Sequence, residues 1–305
     1  MNSIGPAILT ACINIALALV LAPLFEGVMR KITAVVQSRK GPPLTQPYMD
    51  LAKLLIKEDI EVGHVPARQR LSALLAPAAV LAGALFLPIS GHAPLAGGAD
   101  AVMMIYLLSL AGIAVLIAAL AAGSPYSMMG MSREMMSMMT LEPLFAVTIV
   151  AAAFKAGSLR LDDIFRGTLW NSGIASTVML LIVMLAAFQA FVGRAPFDTT
   201  EAETEIMEGP LMEYSGPKLA LFKYAHMLKM FVYAGLFTAL FVPGLKSLNP
   251  VAGVGIFIAC QFVLVLLVTL FAATHARYRI DQVVRYYAIL FGCAVVSLVV
   301  AVMGW

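Results

Sequence analysis

The feature that most constrains this chain is a set of eight apolar segments, each about as long as a bilayer is thick. A helix of about 20 residues crosses the ~30 Å hydrocarbon core. Of the 305 residues, 61% are hydrophobic and 12% are charged, whereas a soluble domain is about half apolar and a quarter charged. We therefore predict an all-α polytopic membrane protein, a single transmembrane domain over residues 1–305 with eight transmembrane helices. They lie near residues 7–27, 70–89, 101–122, 134–155, 174–193, 217–242, 250–274 and 284–304.

The basic residues are concentrated in alternate loops. The first connection carries Arg39, Lys40 and several others, whereas the next loop, Ser90–Asp100, has no Lys or Arg. Later odd-numbered loops carry Arg133 and Arg194, among others. Because basic residues favour the cytoplasmic side, we predict a multi-pass protein of the cell (inner) membrane with both termini on the outer side.

A short amphipathic helix is predicted within the first connection, over Tyr48–Lys57. Three leucines fall on one side, and polar residues, among them Asp50 and Lys53, fall on the other. That spacing is typical of a helix lying in the membrane interface. The alternative is a plain connector that covers the ends of the bundle.

A dense acidic loop joins the fifth and sixth segments, between Arg194 and Gly216. Spacing of three or four residues between several of its acids predicts one helical face. A solvated acidic surface is one interpretation, but Pro196 and Phe197 at its start favour an ordered element. Its six carboxylates belong to Asp198, Glu201, Glu203, Glu205, Glu208 and Glu213.

Four ionisable residues fall well inside the predicted spans, away from their ends: Glu142 in the fourth, and Lys223, His226 and Lys229 in the sixth. A charge at such depth costs about 2.5–3.5 kcal/mol even on insertion scales. Pairing of Glu142 with one lysine would offset much of that cost. One interpretation is a buried salt bridge that fixes helix register; the one we favour is a proton relay.

The three cysteines, Cys12, Cys260 and Cys293, lie far apart and form no CxxC pair. We therefore expect no metal site and no cofactor in this chain. Any redox chemistry would therefore belong to a partner.

Four blocks resemble the membrane subunit 1 family of respiratory complex I and its homologues in energy-converting [NiFe] hydrogenases, of the formate hydrogenlyase and hydrogenase-4 component type. The first is the run QSRKGP from Gln37, continued by Gln46-Pro47, Asp50 and the run KLLIKED from Lys53. The second is Arg133 followed by Glu142, and the third is the acidic loop with Lys218 after it. The fourth is Arg277-Tyr278-Arg279 with Asp281-Gln282.

The resemblance implies eight transmembrane helices packed against a soluble electron-transfer arm. The partners would be the NiFe hydrogenase large and small subunits, Fe–S subunits, antiporter-like membrane subunits and the lipid bilayer, with no nucleic acid. Those partners would carry the Fe–S clusters and the NiFe centre. The implied proton path comprises Glu142, Glu201, Glu203, Glu205, Glu213, Lys223, His226 and Lys229. The implied interface with the soluble arm comprises Arg39, Asp50, Arg133, Arg194, Asp198, Arg277, Arg279 and Asp281.

Two departures favour the hydrogenase branch over complex I. The first block lacks the longer Gly/Pro-rich stretch that resembles part of the quinone cavity wall. His226 stands where complex I members usually have a glutamate, and Lys223 and Lys229 look more like the hydrogenases. The predicted function is therefore an anchor that couples electron transfer in a hydrogenase to translocation of protons or Na⁺.

Other functions fit the same residues. The corresponding membrane subunit of an NADH:quinone oxidoreductase (complex I) would form a quinone site, a passive anchor would move no ions, and a stand-alone secondary transporter would need no redox partner. The electron donor (formate, carbon monoxide or ferredoxin), the number of antiporter-like subunits and quinone binding stay open at this point.

Overall fold

The computed structural model describes residues 4–60, 65–89, 93–95, 98–166, 168–170, 173–200, 203–243 and 249–304, which fold into helices with no β-strand among them. Single 3₁₀ turns occupy Thr168–Trp170 and Gly209–Leu211. The predicted all-α class is confirmed. The helices are α1 (Ile4–Val36), α2 (Gln46–Ile56), α3 (Pro66–Ala84), α4 (Ala101–Ala122), α5 (Pro125–Ala156), α6 (Leu161–Ile164), α7 (Ile174–Val192), α8 (Glu203–Ile206), α9 (Gly216–Phe241), α10 (Pro250–Thr274) and α11 (Ile280–Val302).

Within the described residues, seven helices are long and apolar enough to cross a membrane: α1, α4, α5, α7, α9, α10 and α11. The predicted second span corresponds to α3, which is a helix but is less apolar than the other seven. It begins with Arg68, Gln69 and Arg70 in its first turns and contains Pro77. Instead of facing lipid on all sides, α3 packs closely against α4 and α9.

Helix α5 begins at Pro125, earlier than the predicted start at residue 134. Gly123 ends α4 in the left-handed conformation, with φ of +70°. Ser124 then caps α5 by accepting a hydrogen bond from the Ser127 backbone N–H. At 32 residues the helix is ~48 Å long, which is longer than the hydrocarbon core is thick.

Helix α9 is the centre of the bundle. Its most apolar stretch is 78% buried, against 22% for that of α11. It packs against α1, α2, α3, α7 and α10. Tyr233 stacks on Phe191 of α7 with ring centroids 5.3 Å apart, and both rings meet Phe145 of α5 edge to face. Most of the helix is therefore surrounded by protein.

The connection after α1 folds back along that helix. A Cβ added at Gly27 would overlap the Leu44 carbonyl oxygen, and one at Gly41 would crowd the Lys31 backbone. These two glycines therefore allow the connection to lie flat on α1. The helix predicted over Tyr48–Lys57 is present as α2, and the Tyr48 hydroxyl donates to the Val20 carbonyl of α1.

The acidic loop is ordered where the structure describes it. Phe197 packs on the rings of Tyr278, Tyr286 and Tyr287 near α11, with centroid distances of 5.0–5.6 Å. Farther along, a Cβ at Gly130 of α5 would lie 2.5 Å from Pro210 Cδ, so the loop rests directly on that glycine. The loop therefore folds back against α5 and α11.

Candidate functional site

A buried carboxylate joins α1 to the start of the acidic loop. Glu26 is only 5% exposed. It accepts hydrogen bonds from Arg30 Nε at 3.2 Å and from the Arg194 guanidinium. Arg30 Nη1 also donates to Asp50 of α2 at 2.8 Å. Arg194, Glu26, Arg30 and Asp50, here called the ion-pair chain, therefore connect three separate segments through alternating charges.

Asp50 is the outer end of this chain. Partial burial by itself raises the pKa of the Asp50 carboxyl, but hydrogen bonds from Arg30 and Gln46 and the Arg30 charge outweigh it, so the pKa is lowered. The carboxylate is therefore held in its charged form.

Two further arginines hold the acidic loop. Arg133 of α5 donates to Glu205 at 2.6 Å and to the Thr199 carbonyl at 3.2 Å. Arg277 donates to Asp198 at 2.8 Å. Several residues predicted to face a soluble arm therefore pair with one another inside this chain.

Three other residues predicted to lie at the interface with a soluble arm, Arg39, Arg279 and Asp281, are exposed. Arg279 and Asp281 form a loose pair at 3.6 Å, and the arginine side chain is 81% exposed. Arg39 is exposed and makes no ion pair within 4 Å to any residue that the structure describes. These three side chains remain accessible to a partner.

A cavity of about 210 Å³, here called the outer cavity, lies where the ion-pair chain meets α9. Lys223 Nζ lies 3.9 Å from Glu208 of the acidic loop at its edge. His226 closes its inner end. The charged or ionisable residues that line it are Glu26, Arg30, Arg194, Asp198, Glu208, Lys223 and His226.

Two smaller cavities continue inward. The middle cavity, of about 80 Å³, shares His226 with the outer one and is also lined by Glu134 and Lys229. The inner cavity, of about 60 Å³, shares Glu134 and Lys229 with the middle one and ends at Glu142 and Tyr233. Each has room for water. Shared lining residues therefore place the three cavities next to one another, with polar side chains along them from Glu26 to Glu142.

Glu142 stands at the inner end of that line. Its Oε1 atom is buried and has no hydrogen-bond partner within the described part of the chain. The salt bridge to a lysine, which the sequence left open as the alternative to a relay, is not formed, since no Lys nitrogen among the described residues lies within 4 Å of this carboxylate. Lys229 instead lies over the Tyr233 ring, 6.0 Å from its centroid. A carboxyl group so placed can bind a proton or a water molecule.

The structure brings together some of the predicted path residues but not all. Lys223, His226 and Lys229 line the cavities, whereas Glu205 is paired with Arg133. Glu213 is half-buried and lines none of the three cavities. Glu201 lies outside the described residues, as does the side chain of Glu203.

Two carboxylates of this site were missed from sequence. Glu134 lines the middle and inner cavities, and Glu26 pairs with Arg194 in the ion-pair chain. The available signals were the position of Glu134 two turns before Glu142 and the i, i+4 spacing of Glu26 and Arg30. Among the described residues, no group of three His, Cys, Asp or Glu side chains is placed to hold a metal ion.

Comparisons with known proteins agree with this architecture. Hydrogenase-4 component C of Escherichia coli is 37% identical over 78% of this chain and 76% of its own length. Formate hydrogenlyase subunit 4 of the same organism is 32% identical over 91% and 93%. The NADH-quinone oxidoreductase H subunit of Brevibacillus brevis is 33% identical over 84% and 80%.

A solved structure has the same fold. It is a chain of the membrane-bound sulfane sulfur reductase, an archaeal respiratory membrane complex, with a TM-score of 0.88, 25% identity and coverage of 97% of this chain and 99% of that one. The family model described as NADH dehydrogenase matches residues 8–302. The resemblance drawn from the four sequence blocks is confirmed, and this chain belongs to the NADH dehydrogenase family.

Proposed function

We propose that this chain anchors a membrane-bound [NiFe] hydrogenase and couples its electron transfer to the movement of protons or Na⁺ across the membrane. Two of the relatives that support this are named as a hydrogenase component and a formate hydrogenlyase subunit. In this proposal the Fe–S clusters and the NiFe centre belong to partner subunits, and antiporter-like membrane subunits lie beside this chain. Both termini of this chain lie on the outer side of the membrane.

The observation that carries the proposal is the line of three cavities from Glu26 to Glu142. Glu134, His226 and Lys229 lie along it, at walls that neighbouring cavities share. An imidazole, an amine and carboxyl groups at successive positions can each accept and release a proton. Glu142, in the inner cavity, is the last of these residues.

The outer cavity opens beside the acidic loop, so a change of charge at the loop can change the electrostatic potential along the three cavities. Two unit charges 4 Å apart interact by about 4 kcal/mol at an effective dielectric of 20, and by less than half of that at about 10 Å. A change of charge in a docked partner would act first on Glu208 and Lys223, which line the outer cavity. His226 and Glu134 would follow through the shared cavities.

The test is Glu142→Gln in the intact complex, which keeps the shape of the side chain and removes its titration. We expect hydrogen evolution from a low-potential donor to stay within about twofold, while ion uptake by sealed vesicles falls at least about tenfold. The matched control is Thr140→Val on the same helix, whose hydroxyl bonds the Met136 carbonyl and lines none of the three cavities. Equal loss of both activities would instead give Glu142 a structural role, and unchanged ion uptake would place the path elsewhere.

A second candidate is the membrane subunit of an NADH:quinone oxidoreductase, because the Brevibacillus brevis relative is 33% identical to this chain. The two proposals predict different partners. Purification of the intact complex with a co-purifying nickel subunit and hydrogen evolution supports the hydrogenase. Quinone reduction that a quinone-site inhibitor blocks, without hydrogen evolution, supports the second candidate.

A further inference from the structure

A further cavity of about 410 Å³ lies between the ends of α1 and α10 and shares Glu26, Arg30 and Arg194 with the outer cavity. We call it the basic cavity. Its lining includes four cationic residues and the single carboxylate of Glu26. It also includes the apolar residues Met29, Val268 and Ala272. The four cationic residues are Arg30, Arg39, Lys40 and Arg194.

Two of these cations are available to a ligand. Glu26 is already bonded to both Arg30 and Arg194, and Arg30 also pairs with Asp50. Arg39 and Lys40 make no ion pair within 4 Å among the residues that the structure describes. The cavity therefore carries an excess of positive charge that no carboxylate of the described chain neutralises.

The positions of Arg39 and Lys40 are fixed by the fold of the connection that carries them. Ser38 adopts a left-handed conformation with φ of +56°, which turns the chain sharply after α1. Gly41 then lies against the Lys31 backbone of α1, so the two cations between these turns are held beside the helix. Cations on an ordered turn lose less conformational entropy on binding an anion than cations on a free tail.

We propose that the basic cavity binds the phosphate of an anionic phospholipid headgroup. Both helices that form its walls cross the membrane, and the cavity lies at their ends, where headgroups are found. Apolar side chains point outward beside it: Val35 is 65% exposed and Phe271 is 40% exposed. A free phosphate ion would use the cations alone, whereas a lipid would also use the apolar lining residues and this outer surface.

The test is native mass spectrometry of the intact complex in detergent, titrated with phosphatidylglycerol, phosphatidylcholine or glycerol phosphate. The variant Arg39→Gln/Lys40→Gln is compared with Lys53→Gln/Lys57→Gln, which removes the same charge from the same connection outside the cavity. We expect the first pair to weaken phosphatidylglycerol binding about 25-fold, since each basic residue near an anionic surface contributes about fivefold. The second pair should change it less than about threefold.

Several outcomes would overturn the proposal. Equal losses in the two double variants would mean general attraction to negative charge, and glycerol phosphate binding as tightly as the lipid would mean a free-anion site. Lipid bound only by the isolated chain, and not by the intact complex, would assign the two cations to a protein partner. A cavity-filling variant, Ala272→Phe, retains all four cations and should still weaken lipid binding; unchanged binding would place the lipid elsewhere.

Discussion

The ion-pair chain gives a quantitative prediction through Glu26→Gln. The neutral amide keeps the volume of the side chain but removes the charge that faces Arg30 and Arg194. Arg30 retains Asp50 as a partner, so the main interaction that is lost is the ion pair of Glu26 with Arg194. Removing one member of a fully buried ion pair costs about 3–5 kcal/mol. The Arg194 side chain is 28% exposed, and water reaching it reduces the expected cost to about 2–3 kcal/mol.

The assay is thermal unfolding of the purified protein in detergent. At about 2 °C per kcal/mol for a chain of this size, Glu26→Gln should lower the midpoint by about 4–6 °C. The matched control is Asp281→Asn, which breaks the exposed pair with Arg279 and should shift the midpoint by no more than about 1 °C. The double variant Glu26→Leu/Arg194→Met removes both charges and should recover most of the loss. Equal midpoint shifts in the two single variants, or no recovery in the double variant, would refute this reasoning.

Three further predictions follow from local geometry. Gly27→Ala should lower the thermal midpoint, because its Cβ would overlap the Leu44 carbonyl oxygen, whereas Gly255→Ala, with no atom within 4 Å of the new Cβ, should not. The pKa of Asp50 is lowered from 3.8, so the contribution of its carboxylate to the docking of α2 is present above about pH 4 and is lost as the pH falls below that value. Limited proteolysis of α2 should therefore be faster at about pH 3 than at about pH 6. The variant Asp50→Asn should remove that difference. Glu134→Gln should reduce ion uptake with hydrogen evolution retained, and unchanged uptake would remove this residue from the path.

Segment length and charge predicted the all-helical class and most of the transmembrane helices. The main departure is α3, where two prolines and an Arg-rich start interrupt the apolar pattern, and where one side of the helix packs against α4 and α9. The early start of α5 was hidden for a related reason. Residues 125–133 are polar or methionine-rich, and the signals for their helix are the left-handed Gly123 and the Ser124 cap rather than hydropathy.

The sequence predicted several residues of the candidate site but not which of them contact one another. Helical spacing placed Lys223, His226 and Lys229 on neighbouring positions of one helix, and all three line the cavities. Which carboxylate meets which base depends on how α5 packs beside α9, and intrahelical spacing contains no information on that packing. For this reason the sequence left open whether Glu142 pairs with a lysine, and the intermediate position of Glu134 was not anticipated.

The burial of α9 also has a consequence for how this protein is held in the membrane. Among the seven spanning helices that the structure describes, α9 has the lowest hydropathy, 1.2, against values of 1.7–2.7 for the others. It carries Lys223, His226 and Lys229, and each charge exposed to lipid near a helix centre costs about 2.5–3.5 kcal/mol. As a lone helix surrounded by lipid, α9 would therefore be poorly retained in the bilayer. We therefore expect stable retention of α9 in the bilayer to depend on its packing against α1 and α3, which precede it in the chain.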